Sequence, residues 1–109
     1  GSFQPRVTIG SGTGDAYLSG ESVVSCLNRQ DGVQIYTYAW SEVFADFGNG
    51  ALGSAGLCSI YSNTVFNMSN TGSDPVSAQN NWWGAAIPDP GKFSGNIDRS
   101  NPLASDPNP

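Results

Sequence analysis

The sequence has no histidine and few charged residues, and these two deficits exclude several kinds of function. Without histidine there is no histidine-based triad or acid–base pair and no histidine metal site. Only four residues are basic against nine acidic ones, so the formal net charge is −5. Because the basic residues are scattered at positions 6, 29, 92 and 99, they form no cluster that would bind phosphate groups. We therefore expect neither nucleic acid nor an anionic membrane surface as a partner.

Long apolar runs and helical periodicity are also lacking. No run approaches the ~18 apolar residues of a membrane span, so we expect no membrane insertion. The apolar clusters are short, rich in Val, Ile, Phe and Tyr, and end at Asn or Gly, which is typical of strands bounded by turns. The predicted elements are strands at 6–9, 22–27, 32–40, 59–61, 64–68 and 75–79, and a helical turn at 41–46.

Asparagine recurs between the later strands. It tolerates left-handed backbone and can bond its own backbone, so it suits tight corners. Regular corners between very short strands predict coils wound around an axis, as in a β-solenoid. Five of the seven prolines follow Trp83 and cannot continue an interior ladder. We therefore expect coils at 21–84, an N-terminal segment at 1–20 that caps the first coil, and an irregular cap and linker start at 85–109.

Two long stretches carry a family resemblance. GNGALGSAGLCSIYSNTVFNMSNTGSDPVSAQNNWWG begins at Gly48, and SGNIDRSNPLASDPNP begins at Ser94. Together they resemble the C-terminal end of secreted bacterial right-handed parallel β-helix proteins, in the pectate-lyase-like superfamily. The resemblance implies an all-β fold, a short right-handed parallel β-helix with a proline-rich C-terminal cap, in a secreted or cell-surface protein. It implies no reaction, because this closing segment occurs on β-helices of many functions.

The stretch Asn80-Asn81-Trp82-Trp83-Gly84 is predicted to be a structural cap. Successive strand side chains alternate, so one indole is expected to plug the end of the helix and the other to lie under the tail. Burying two indoles of ~150–250 Å² at ~25 cal/mol per Å² would stabilise the last coil by several kcal/mol. Ligand stacking is the alternative.

The stretch VQIYTYAW is the predicted binding site. Tyr36, Tyr38 and Trp40 share one face of the predicted strand, about 6.5–7 Å apart. A row of aromatic rings suits stacking on sugars, so we expect contact with a polysaccharide or cell-surface glycan. The alternative is that this row packs beneath the loop at 41–52 or against a second chain.

Cys26 and Cys58 form either one disulfide or two buried free thiols. The acids are dispersed, whereas the β-helix lyases of the resemblance cluster acids around calcium and the related hydrolases cluster aspartates. We therefore assign no catalytic residue, metal or cofactor. Calcium is only weakly suggested by GSGTGD at 10–15, which lacks the repeated nonapeptide of calcium-binding turns.

The predicted function is a non-catalytic extracellular module for recognition, adhesion or structure, binding glycans through its lateral aromatic face. One alternative is the C-terminal fragment of a β-helix polysaccharide lyase or hydrolase whose active site lies upstream of Gly1. A second alternative is an assembly module. Its open N-terminal coil would stack with another copy or a protein partner, because an uncovered coil edge exposes unpaired strand groups.

Overall fold

The computed structural model describes residues 7–11, 16–37, 43–72 and 74–109. These residues form short β-strands and a single 3₁₀ turn, so the predicted all-β class is confirmed. The strands are β1 Val7–Ser11, β2 Ala16–Ser19, β3 Val24–Cys26, β4 Val33–Thr37, β5 Val43–Gly48, β6 Ser59–Tyr61, β7 Met68–Asn70, β8 Val76–Ala78, β9 Phe93–Ser94 and β10 Ile97–Asp98, with the 3₁₀ turn at Pro90–Lys92.

Every strand pairing among these elements is parallel. The first sheet has the order β1-β4-β7-β9, the second β10-β8-β5-β2 and the third β3-β6. A bridge from Ser59 to Trp82 extends the third sheet. The chain therefore visits the three sheets in turn and then repeats. We call these repeats layers: β1 to β3, β4 to β6, β7 to Trp82, and β9 with β10.

The layers differ in length. In the first sheet, Val7 pairs with Val33, Val33 with Met68, and Met68 with Phe93, which are 26, 35 and 25 positions apart. Part of the extra length of the second layer lies between β5 and β6, which are separated by residues 49–58. The second layer therefore carries a lateral loop that the third layer lacks.

The strands alternate between the interior and the lateral surface. Val33 and Ile35 are fully buried, whereas Gln34 and Tyr36 are half-buried, which is the alternation expected of this strand. The interior is one apolar cluster, so the three sheets share a single core. Its members are Val33, Ile35, Val43, Ala45, Phe47, Cys58, Ile60, Met68, Val76, Ala78, Trp83 and Ile97.

One corner repeats in all four layers. Ser22, Leu57, Asn80 and Asn101 have φ angles of 54°, 61°, 62° and 53°, in the left-handed region. Backbone hydrogen bonds join neighbouring layers there, from Ser22 N to Gly56 O, Leu57 N to Asn80 O, and Asn80 N to Ser100 O. Asparagine marks this corner only in the last two layers. In the first two, the bonds between layers hold serine and leucine in a conformation that costs them about 1–2 kcal/mol.

A second corner, after the third sheet, is held by stacked asparagines. The backbone N and Nδ2 of Asn28 both donate to Asn63 Oδ1, at 3.1 and 2.9 Å. Asn63 Nδ2 donates in turn to Ser25 O at 3.2 Å and to Asn67 Oδ1 at 3.0 Å. All four side chains are buried. Because an unpaired buried amide is costly, these mutual bonds fix the register of the first two layers.

Two predicted elements are wrong where the structure describes them. The helical turn predicted at 41–46 does not form over its described part, because residues 43–48 are β5 with Val43, Ala45 and Phe47 directed into the core. The strand predicted at 64–68 begins only at Met68. Its earlier residues form the asparagine corner, where Val65 is exposed.

Cys26 and Cys58 are buried free thiols rather than a disulfide. Cys26 pairs with Tyr61, whereas Cys58 precedes Ser59, which pairs with Val24. The cysteines are therefore offset by three positions along neighbouring strands, about 10 Å at ~3.3 Å per residue. That separation exceeds the ~7 Å between Cα atoms that a disulfide tolerates.

We expect reducing agent to leave the thermal unfolding temperature unchanged. Burial raises the pKa of the Cys58 thiol, so little reactive thiolate forms. A thiol-specific reagent should therefore label both cysteines in denaturant and neither in the native protein. Loss of stability on adding reductant, or only one reactive thiol per unfolded chain, would contradict this arrangement.

Candidate functional site on the second sheet

The lateral loop of the second layer is organised around Asp46. Its Oδ1 accepts from the backbone N of Gly48 and Gly50, at 3.0 and 2.9 Å. Its Oδ2 accepts from the backbone N of Leu52 and Ser54, at 3.1 and 3.0 Å. Asp46 is only 2% exposed, so the loop wraps its carboxylate completely. Sequence reasoning missed this role, although an aspartate ahead of the glycine-rich stretch FGNGALGS was a usable signal.

Electrostatics keep Asp46 ionised. Burial alone raises the pKa of this carboxyl group, but the four backbone N–H groups outweigh burial and hold the pKa below its ordinary value of 3.8. The negative charge is therefore permanent near neutral pH. Because all four hydrogen bonds come from Gly48 and the loop that follows it, the carboxylate stabilises the loop and has no free position for a substrate proton.

A β-bulge directs the chain from the strand into this loop. Asp46 pairs with Ser77 and Gly48 pairs with Ala78, so Phe47 is the extra residue. A Cβ atom on Gly48 would lie 1.7 Å from Gln79 O, which leaves room only for glycine. Phe47 is buried in the core, and the backbone N of Gly48 donates to the Asp46 carboxylate.

The loop and the second sheet enclose a groove of about 240 Å³. We call it the lateral groove. Phe44 and Asp46 of β5 and Ser77 of β8 point to this side of the sheet, opposite to the core residues. The lining residues are Phe44, Ala45, Asp46, Gly50, Ala51, Leu52, Pro75 and Ser77.

Both polar side chains among the described lining of the lateral groove, Asp46 and Ser77, are already hydrogen-bonded. The Asp46 oxygens accept the four backbone N–H groups of the loop. Ser77 Oγ donates to Gly48 O at 2.7 Å and keeps acceptor capacity on its oxygen. Gly50 O accepts from Gly53 N at 3.2 Å. The groove therefore offers an apolar wall with one hydroxyl oxygen.

Of the predicted aromatic row, the structure describes Tyr36 alone. Tyr36 is half-buried on β4, in the first sheet, and pairs with Gly10 of β1. Tyr38 and Trp40 lie outside the described residues. The lateral groove lies on the second sheet, and the aromatic residue among its described lining is Phe44.

Each residue of the NNWWG stretch has a distinct structural environment. Asn80 occupies the left-handed corner. The buried amide of Asn81 accepts from Cys58 N and donates to Phe47 O, both at 2.9 Å. Trp82 bridges to Ser59 and is half-buried, whereas Trp83 is 4% exposed within the core. Gly84 has φ of +92°, and a Cβ there would lie 3.0 Å from Tyr61 Cβ.

Phe93 packs against both Trp83 and Arg99 beside the core. Trp83 meets Phe93 edge to face, with ring centroids 4.7 Å apart. The guanidinium carbon of Arg99 lies over the Phe93 ring, 4.3 Å from its centroid. The indole Nε1 of Trp83 is buried without a hydrogen-bond partner.

The tail returns along the third sheet. We call residues 99–109 the strap. Leu103 N donates to Asn81 O at 2.9 Å, and Asn108 Nδ2 donates to Leu57 O at 2.8 Å. The Ser59 hydroxyl donates to Asp106 in the same region. The sheets therefore extend through β9 and β10 into the segment that the prolines predicted to be irregular, whereas residues 85–92 and the strap lack strands.

The acids in the described part of the chain mostly stabilise turns. Six of the seven accept a hydrogen bond from a backbone N–H, and the seventh, Asp74, has one buried oxygen without a partner. The six are Glu21, Asp31, Asp46, Asp89, Asp98 and Asp106. No three cysteine, aspartate or glutamate residues within the described ranges come together as a metal site. The same ranges contain no helix that is long and apolar enough to cross a membrane.

Comparison with known proteins gave no match to a protein family, to a curated protein or to a solved structure. Function is therefore inferred from the chain's own residues.

Proposed function

We propose that this chain is a short right-handed parallel β-helix that acts as a non-catalytic module at the cell exterior, binding neutral glycans through a lateral face. The observation that carries the proposal is the lateral groove, an apolar surface beside Phe44 on a rigid sheet. The sequence resemblance to the closing segment of secreted β-helix proteins supports the extracellular setting.

The β-helix interpretation is supported by the pairing pattern. Each strand pairs in parallel with the strand of the same sheet in the next layer, and consecutive strands lie in different sheets. The left-handed corner recurs in four layers, and asparagine side chains stack between two of them. A chain wound around one axis accounts for all three features. Trp83, which follows the third layer, packs against Phe93 of the fourth, and this contact supports the predicted cap.

The non-catalytic interpretation is supported by how the acids are used. A general acid or base must reach a substrate proton. The Asp46 carboxylate, which lies nearest the lateral groove, is enclosed by four backbone N–H groups and has a lowered pKa. This enclosed carboxylate supports a lateral face that binds a glycan without cleaving it.

Glycan binding is supported by shape and composition. Sugar rings present apolar C–H faces that stack on aromatic and aliphatic side chains, with hydroxyl groups left for a few hydrogen bonds. Phe44, Leu52 and Pro75 provide such a wall, and Ser77 Oγ provides an acceptor. We expect the purified chain to be retained saturably by at least one neutral polysaccharide in a panel of immobilised neutral and acidic ones. Absence of retention on every neutral polysaccharide would overturn the proposal.

Assembly is a second candidate because one end of the stack is open in the described residues. Strands β1, β2 and β3 each have a described partner on only one side, in β4, β5 and β6. Edges of this kind pair with other strands unless something covers them. If the module stacks through this layer, light scattering will show a mass that rises from one chain toward two with concentration. A constant single-chain mass at millimolar concentration would exclude stacking.

A further inference from the structure

We infer that the lateral groove selects a single neutral sugar ring that carries a methyl group, as in a 6-deoxyhexose. This inference rests on the proposed function and specifies its ligand. It follows from the size of the groove, its lining, its charge and its one polar contact.

The volume of the lateral groove limits how many sugar rings it can hold. Its volume of about 240 Å³ lies below the ~300–1,000 Å³ of sites that enclose drug-sized ligands. One sugar ring fits that space, whereas several consecutive rings do not. The rest of a polysaccharide would extend along the surface of the second sheet.

The lining favours an apolar substituent. Ala51, Leu52 and Pro75 are exposed on the rim, and Phe44 is half-buried at the base. Leu52 is 39% exposed, so its side chain is available to a ligand. A methyl group placed against these residues leaves water without losing a hydrogen bond. A hydroxymethyl group in the same position would lose water partners, and Ser77 Oγ is the only hydroxyl group on the described lining side chains that could replace them.

The charge of the lateral groove disfavours acidic sugars. Among the described residues that line it, Asp46 is the only charged one and none is Lys or Arg. The chain as a whole carries a net charge of −5. A uronic acid would therefore lose hydration and meet a negative charge without a counter-ion. The ligand class is neutral, in contrast to the acidic substrates of pectate-cleaving enzymes.

Two sugar series that differ at C6 test this inference. The first is D-fucose, D-galactose and D-galacturonic acid, and the second is L-rhamnose and L-mannose. We expect the 6-deoxy sugar of at least one series to bind about tenfold or more tightly than its hydroxymethyl counterpart, which is the discrimination that one small group achieves in an apolar pocket. Galacturonic acid should not bind. Chemical-shift titration of the purified chain measures these affinities directly.

Paired variants locate the site. Leu52→Gln should weaken binding of the 6-deoxy sugar about tenfold, while Val65→Gln, at an equally exposed apolar position on the asparagine corner, should leave it unchanged. Thermal unfolding of both variants checks that they fold. If polysaccharides are retained but neither series shows the methyl preference, or Leu52→Gln has no effect, the inference is overturned and the proposed function stands. If no neutral glycan binds, both are overturned.

Discussion

Replacing Asp46 with asparagine will destabilise the protein by about 3 kcal/mol or more. The asparagine amide keeps one acceptor oxygen, but its NH₂ group takes the place of the other carboxylate oxygen. Two backbone N–H groups that donated to that oxygen then lose their acceptor. Hydrogen bonds to charged groups contribute about 1.5–3 kcal/mol each, and buried donors left unpaired cost about 1–3 kcal/mol. Urea unfolding measures the change in the free energy of unfolding.

The control for this prediction is Asp98→Asn, in the same sheet. Asp98 is exposed and accepts from Ser100 N, Ser100 Oγ and Gln79 Nε2. Because water can replace these partners, its substitution should cost about 1 kcal/mol or less. Equal losses for Asp46→Asn and Asp98→Asn would contradict the organising role of Asp46.

The same carboxylate predicts how stability depends on pH. Burial raises the pKa of Asp46, but the four backbone N–H groups lower it by more than burial raises it. The pKa in the folded protein therefore lies below the ordinary value of 3.8. The unfolded chain therefore binds its proton at a higher pH than the folded chain does. Stability from this group is complete above that ordinary value and is lost as pH falls through the folded pKa. The loss in this range should be smaller in Asp46→Asn than in the native sequence.

Two substitutions of Trp83 will show how much of its contribution to stability comes from the size of its ring and how much from its indole N–H. Trp83→Ala should destabilise by about 3–5 kcal/mol, as expected of a large aromatic residue removed from a core. Trp83→Phe should cost about 1 kcal/mol or less, because it loses some volume but removes a buried donor, Nε1, that has no partner. Phenylalanine also keeps an aromatic ring next to Phe93. Thermal and urea unfolding of both variants provide the comparison.

Trp82→Ala is the matched control for the neighbouring indole. Trp82 is half-buried and lies outside the apolar core cluster, so its removal should cost less than that of Trp83. If Trp83→Phe is as unstable as Trp83→Ala, the indole N–H makes an important contact and the packing account is wrong. If Trp82→Ala lowers the free energy of unfolding more than Trp83→Ala does, Trp82 rather than Trp83 is the indole that stabilises the core.

Strand class and side-chain alternation could be predicted from the sequence because both are local. VQIY alternates between aliphatic and polar or aromatic residues, and its aliphatic members are buried. SIY likewise forms β6 at its predicted position. Asparagine corners were also predictable, since this residue tolerates left-handed backbone and binds its neighbours through its amide.

Features that depend on register could not be predicted in this way. The distance between Cys26 and Cys58 is set by which residues of β3 and β6 pair, and nothing local specifies that pairing. The lateral groove depends on the bulge at Gly48 and on an aspartate that gathers four N–H groups from a loop. The local pattern at 41–46 instead favoured a helical turn, and packing of Val43, Ala45 and Phe47 in the core decided for a strand.

We propose that the chain binds glycans without cleaving them. The most direct measurement is to incubate the purified chain with each neutral and acidic polysaccharide of the panel, and to record both retention of the protein and release of reducing or unsaturated ends. We expect saturable retention on a neutral polysaccharide that is recovered at its original length. Release of sugar products from any member, or retention confined to acidic polysaccharides, would contradict the account.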